Sequence, residues 1–201
     1  MPTIDLRPAS ARLSKLIDAV PDNALHSQTP CSSYCVGDLL DHVAGLTVAF
    51  GGAAVKAEGS SANMGPAGNA SNLEPDWRVS LPQRLEDLAS GWLDPTAWVG
   101  MTRVGGQDLP GEVAGTILFG ELAVHGWDLA QSTAIPFEPD PVGLVSLLDL
   151  VRQAFGPGQD AARGAAFGPA IPVPDDASMF DQVLGLLGRD PSWTAAQQAS
   201  T

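Results

Sequence analysis

The segment from Glu112 to Gln131 constrains this chain more than any other. Wound at about 100° per residue, it forms a helix with two apolar arcs. Val113, Ile117 and Val124 fall in one arc; Leu118, Leu122 and Leu129 fall roughly opposite, with Phe119 beyond them. A helix apolar over most of its circumference has to be covered on several sides, so other helices must surround it. In the gap between the arcs, Glu121, His125 and Asp128 share a stripe about 60° wide. Three ionisable groups on a buried helix are costly unless they are paired or bind a metal. Glu121 and His125 are four residues apart, so their side chains meet on adjacent turns. Two readings stay open on these residues: a buried or half-exposed hydrogen-bonded pair, or two ligands of one cation.

Covering helices are legible on both sides of this segment. Leu6, Leu13, Leu16, Ile17 and Val20 recur at helical spacing over Leu6 to Val20, and Pro21 closes the run. Asp22 to Cys35, with Pro30 and a Ser-Ser pair, reads as a loop. Val36 to Ala57 predicts a long second helix and Leu81 to Leu93 a third. Trp98 to Leu109 breaks the helical period; its alternation and the Gly105-Gly106 turn predict a short strand or hairpin. Glu112 to Gln131 is then the fourth helix, Pro141 to Ala154 a fifth and Met179 to Leu187 a short last one. Gly59 to Asp76, rich in Gly, Ser, Asn, Ala and Pro, is expected to be a mobile loop. Four main helices with long connections predict a mainly α fold: a four-helix bundle with a short strand or hairpin near 98–109 and extra C-terminal helices. One domain is expected over 1–201, with a C-terminal extension from about 141.

Composition narrows the function. The net charge is −13, and lysine occurs only at Lys15 and Lys56. Binding a nucleic-acid backbone or an anionic membrane surface needs clustered cations, which this chain lacks. The longest nearly apolar run, Val43 to Val55, is about 13 residues and too short to span a bilayer. The N-terminus has no basic region followed by an apolar core, and a cytoplasmic location is expected. One C-x3-C pair, Cys31 and Cys35, makes neither a disulfide framework nor a four-ligand zinc site. No G-x-S-x-G, P-loop or G-x-G-x-x-G is present, so serine hydrolases and nucleotide folds have no support.

The other histidines are His26 and His42. His42 lies at the edge of the second helix's apolar stripe, beside Leu39 and Leu46. It reads either as a core-edge histidine bonded to a carbonyl or as a ligand, since a bundle can bring two such stripes together around a metal. His42, Glu121 and His125 would then offer two imidazoles and one carboxylate. That set suits zinc, iron, manganese or nickel and leaves positions open for water or substrate. His26, in a loop beside Ser27 and Gln28, reads as solvated. Cys31 and Cys35 stand just before the second helix, where a helix N-terminus can depress a thiol pKa; otherwise they are small residues shaping a loop.

Thr29-Pro-Cys-Ser-Ser-Tyr-Cys-Val-Gly-Asp-Leu-Leu-Asp-His-Val-Ala-Gly resembles the second-helix motif of the mycothiol-dependent maleylpyruvate isomerase-like proteins, within the DinB/YfiT-like metal-binding superfamily. Glu121-Leu-Ala-Val-His-Gly-Trp-Asp-Leu-Ala is similar to that family's fourth-helix motif, and Met101 to Gly115 and Gly188-Arg-Asp-Pro-Ser-Trp resemble an uncharacterised branch of it. The resemblance implies a DinB-like bundle with a divalent metal, usually zinc, on His42, Glu121 and His125, and Asp128 orienting His125 from behind. It also implies a low-molecular-weight thiol, mycothiol, as co-substrate, and a small electrophile as substrate. The implied activity is a thiol-dependent S-transfer or isomerisation, in which a thiolate adds to a cis double bond, the bond rotates and the thiolate leaves. A non-catalytic metal-stabilised module and a metal-water hydrolase are the alternatives, and the chain is expected to act as a monomer or homodimer. Two departures stand out. Tyr34 and Cys35 replace the Trp and Thr of many relatives, and the chain is shorter at its C-terminus than full isomerases, which carry an extra small domain.

Overall fold

The computed structural model describes residues 3–57, 68–156, 159 and 168–195. Among these the elements run α1 (Arg7–Ala19), α2 (Val36–Ala54), α3 (Trp77–Gly91), α4 (Pro95–Trp98), β1 (Met101–Val104), β2 (Gln107–Pro110), α5 (Gly111–Thr133), α6 (Leu144–Phe155) and α7 (Met179–Leu186). α1 and α2 each pack against both α3 and α5, so they occupy opposite corners of a four-helix bundle. The mainly α, DinB-like architecture is therefore as expected. No helix among the described residues is long and apolar enough to cross a membrane.

The two arcs of α5 divide as the wheel requires. Leu118, Leu122 and Leu129 are at most 1% exposed and fill the bundle. Val113, Ile117 and Val124 turn toward α6, which packs along α5 from outside the bundle. Indoles brace the end of the bundle near the hairpin: Trp92 Nε1 donates to the Phe50 carbonyl at 3.1 Å, and Trp98 Nε1 to the Trp92 carbonyl at 2.8 Å.

The hairpin forms where alternation predicted it, with Met101 paired to Pro110 and Val104 to Gln107. Gly105 and Gly106 have φ of 59° and 77°, the two positive values that a two-residue type I′ turn demands. Thr102 ties the hairpin to the end of α2 by donating to the Ala53 carbonyl at 2.7 Å.

Several boundaries move. α2 stops at Ala54, and Lys56 follows in a left-handed conformation. α3 starts at Trp77, not Leu81, because Trp77 adds a further buried turn and Pro82 is accommodated inside the helix. The four-residue α4 has too little periodicity to be seen, so the helix expected as the fourth is α5. Of the loop expected at Gly59 to Asp76, residues 59–67 lie outside the described residues. The remainder is bonded to α2: Asn69 N–H donates to Asp41 and Ala70 N–H to Asp38, each at 2.8 Å. Gly68 permits this approach, since a Cβ there would sit 1.9 Å from the Asp38 carbonyl oxygen.

The C-terminal elements turn back onto the bundle. α7 packs on α6 and ends in a Schellman arrangement, with Gly188 N–H on the Gly185 carbonyl at 3.1 Å and Arg189 N–H on the Leu184 carbonyl at 2.9 Å. Gly188 takes φ of 76°, which turns the next residue, Arg189, inward.

Candidate metal centre

α2 contributes His42; α5 contributes Glu121 and His125 from adjacent turns. One nitrogen or oxygen of each lies within 4.8 Å of the others. His125 Nε2 is 3.0 Å, and His42 Nε2 3.5 Å, from the same Glu121 oxygen, Oε2. The rings meet edge to face, with centroids 4.8 Å apart.

The outer nitrogens have their own partners. His125 Nδ1 is 3.0 Å from Oδ2 of the fully buried Asp128, three residues along α5. His42 Nδ1 is 3.4 Å from the Tyr34 hydroxyl. Tyr34 is held there by the loop before α2, where the Thr29 hydroxyl donates to the carbonyls of Cys31 and Tyr34 and residues 28 and 35 form an antiparallel bridge. Asp38 caps α2 by accepting from the Cys35 N–H at 3.0 Å. The arrangement fits a cation on chemical grounds: both Nδ1 atoms are occupied from behind while both Nε2 atoms face one carboxylate.

The charges in this cluster depend on one another. Burial pushes the Glu121 carboxyl up, but hydrogen bonds from His125 and His42 outweigh it and hold the group below the usual carboxylate range. Burial pushes His125 down, yet Asp128 and Glu121 on either side raise it to about 9.

The remaining sequence candidates lie apart. His26 is exposed and outside the cluster. Burial pushes both Cys31 and Cys35 thiols up, and the Asp38 carboxylate adds to the rise at Cys35. At both positions burial outweighs the backbone N–H groups that favour a thiolate.

Arg189 is the residue that sequence reasoning left without a role. Its side chain is 9% exposed, and its Nη2 lies 3.3 Å from Asp128 Oδ2, behind His125. A glycine followed by a cation just past an amphipathic helix marks such an inward turn, and Gly188-Arg189 has that form. Arg189, Glu121 and His125 form the polar end of a cavity of about 500 Å³ between α5 and α6, with Ile117, Val124, Leu147, Val151 and Phe155 among its walls.

Comparison with known proteins agrees with this architecture. Two uncharacterised proteins of Mycobacterium tuberculosis, from strains CDC 1551 and H37Rv, are each 29% identical over 186 residues, covering 90% of this chain and 93% of theirs. The crystal structure of the mycothiol-dependent maleylpyruvate isomerase shares the fold, with a TM-score of 0.57 at 20% identity over 74% of this chain and 67% of that one. Residues 6–130, from the start of α1 almost to the end of α5, match the mycothiol maleylpyruvate isomerase N-terminal domain, and the chain belongs to that family.

Proposed function

We propose that His42, Glu121 and His125 hold one divalent cation, with zinc the first choice and nickel, manganese or iron the alternatives, and that the protein is a mycothiol- or other thiol-dependent S-transferase or isomerase. The observation that carries this reading is the convergence of both Nε2 atoms on the Glu121 carboxylate, at the polar end of an apolar cavity. A cation there would lower the pKa of a bound thiol toward neutrality and so supply a thiolate nucleophile.

The protein's own residues supply the rest. Glu121 contributes the negative charge that two neutral imidazoles lack. Asp128 accepts the Nδ1 proton of His125, which orients the ring so that Nε2, hydrogen-bonded to Glu121, would offer its lone pair to a cation on losing its own proton. The Tyr34 hydroxyl, beside Nδ1 of His42, holds the second ring. The walls from α5 and α6 exclude water from a bound electrophile, which prolongs the life of an adduct. A closed structural site would need a fourth protein ligand. The two candidates, His26 and Asp128, are respectively exposed and bonded to the far side of His125. In this reading 1–201 is one functional unit, and the extension from about 141 forms one wall of the cavity.

Elemental analysis of purified protein tests the ligand set: the native protein carries stoichiometric metal and His42→Ala loses most of it. Turnover of a panel of small electrophiles with mycothiol, with and without that metal, tests the activity: thiol consumption reports transfer, and cis–trans conversion of the substrate at constant thiol reports isomerisation. A His42→Ala protein that keeps full metal, or thiol-dependent turnover indifferent to the metal, contradicts the proposal.

A further inference from the structure

We infer that the cavity between α5 and α6 binds a largely apolar molecule with one carboxylate, its body against the two helices and its carboxylate on Arg189. This rests on reading the cavity as the substrate pocket, and it names the substrate class.

A volume of about 500 Å³ is within the range of small-molecule sites. Its polarity is lopsided. Ile117 and Val124 from α5, Leu147, Val151 and Phe155 from α6, and Leu187 supply apolar wall; Glu121, His125 and Arg189 stand together. Gln107 of the hairpin is the one other polar residue of the lining among the described residues. A body lying along these walls gains in proportion to the apolar area it buries. A second charge on that body would stand unpaired against aliphatic side chains.

Arg189 defines the head group. Its guanidinium stays charged at any physiological pH. Nη1 donates to the Leu187 carbonyl at 3.0 Å, and Nη2 reaches Asp128 at 3.3 Å, longer than the roughly 2.7–2.9 Å of a strong charge-assisted bond. Its Nε is buried with no acceptor. This buried donor lacks an acceptor, as Oδ1 of Asp128 lacks a donor, so the pair does not satisfy the guanidinium; a carboxylate entering the cavity that Arg189 lines supplies a charge-assisted bond once the guanidinium turns toward it. The metal cluster does not use this nitrogen.

Calorimetric titration of the metal-loaded, thiol-free, full-length protein with butanoate, hexanoate, octanoate and 1-octanol tests the inference. Affinity should rise about fourfold per added methylene. Octanoate should bind at least about tenfold more tightly than octanol. Arg189→Gln should bring octanoate down to the octanol level and leave octanol unchanged, while Ala154→Trp, which fills the cavity and keeps Arg189, should weaken both. Affinity independent of chain length overturns the inference, as does a short dicarboxylate such as succinate binding as tightly as octanoate. Octanoate binding lost in His42→Ala but kept in a folded Arg189→Gln overturns the assignment to Arg189, because the carboxylate then sits at the metal ligands. The chain-length series in the native protein keeps the test decisive if Arg189→Gln does not fold. Octanoate binding without any thiol-dependent turnover, by transfer or by isomerisation, removes the proposed activity and leaves this inference standing; thiol-dependent turnover without chain-length dependence does the reverse.

Discussion

The two apolar arcs of α5 look alike on a helical wheel and serve different ends. Leu118, Leu122 and Leu129 are sealed in the bundle, where α5 packs on α1 and α2. Ile117 and Val113 on the other arc are only partly buried, and with Val124 they line a cavity roofed by α6. The stripe of Glu121, His125 and Asp128 runs where the two arcs part. One helix thus supplies the dry core that fixes the fold, the wall of a ligand-sized space, and the polar groups between them. A core contact gains by excluding everything; a cavity wall gains only when something fills it.

The sharpest way to break this comparison is truncation on each arc. Leu118→Ala, at 0% exposure, should cost about 2–5 kcal/mol. Ile117→Ala, beside space that already exists, should cost about 1 kcal/mol or less. Urea denaturation of both variants measures the difference, and equal losses would mean that the two arcs are packed alike.

The stripe should respond to pH where the arcs do not. A metal-bound His125 must be neutral, but the metal-free ring holds its proton up to about 9. Metal affinity should therefore climb on the order of tenfold per pH unit between roughly 6.5 and 9, then level off. In the metal-free protein the sign reverses. The raised pKa contributes stability that is fully present below the ordinary histidine value and lost as pH rises through about 9. Urea midpoints with and without metal across pH 6 to 10 check both limbs, on the order of one transition each. Next in size is Asp128→Asn, which removes the carboxylate behind His125 and should lower metal affinity about 10- to 100-fold in a chelator competition. Smallest is Gly188→Ala, costing about 1–2 kcal/mol at a left-handed position. Its effect belongs to α7 and Arg189, so hydrogen exchange should quicken around residues 184–189 while the bundle keeps its protection.

Much of this was legible in the sequence because it depends on local periodicity. The arcs of α5, the stripe between them and the Gly105-Gly106 turn are fixed by the spacing of a few residues. His42 was reachable because it sits at the edge of an apolar stripe on a second long helix. The misses share a different cause. What covers each arc is settled by contacts between distant segments, so nothing near Ile117 says that α6 roofs it. α4 spans one turn, too short to show a period. The inward turn of Arg189 depends on Gly188 taking a positive φ and on Asp128, sixty-one residues earlier, waiting in the core. Of the two readings open for Cys31 and Cys35, the loop-shaping one agrees with their surroundings, because burial, and a carboxylate at Cys35, outweigh the helix terminus.

The central claim is that His42, Glu121 and His125 hold a metal with a position open to a thiol. Cobalt substitution tests it most directly, because a thiolate bound to cobalt adds a sulfur-to-metal charge-transfer band in the near ultraviolet. The account predicts that saturating mycothiol, or another small thiol, produces that band in the native protein, that binding releases a proton, and that His42→Ala shows neither. A cobalt spectrum unchanged by mycothiol and by a panel of other small thiols would contradict it.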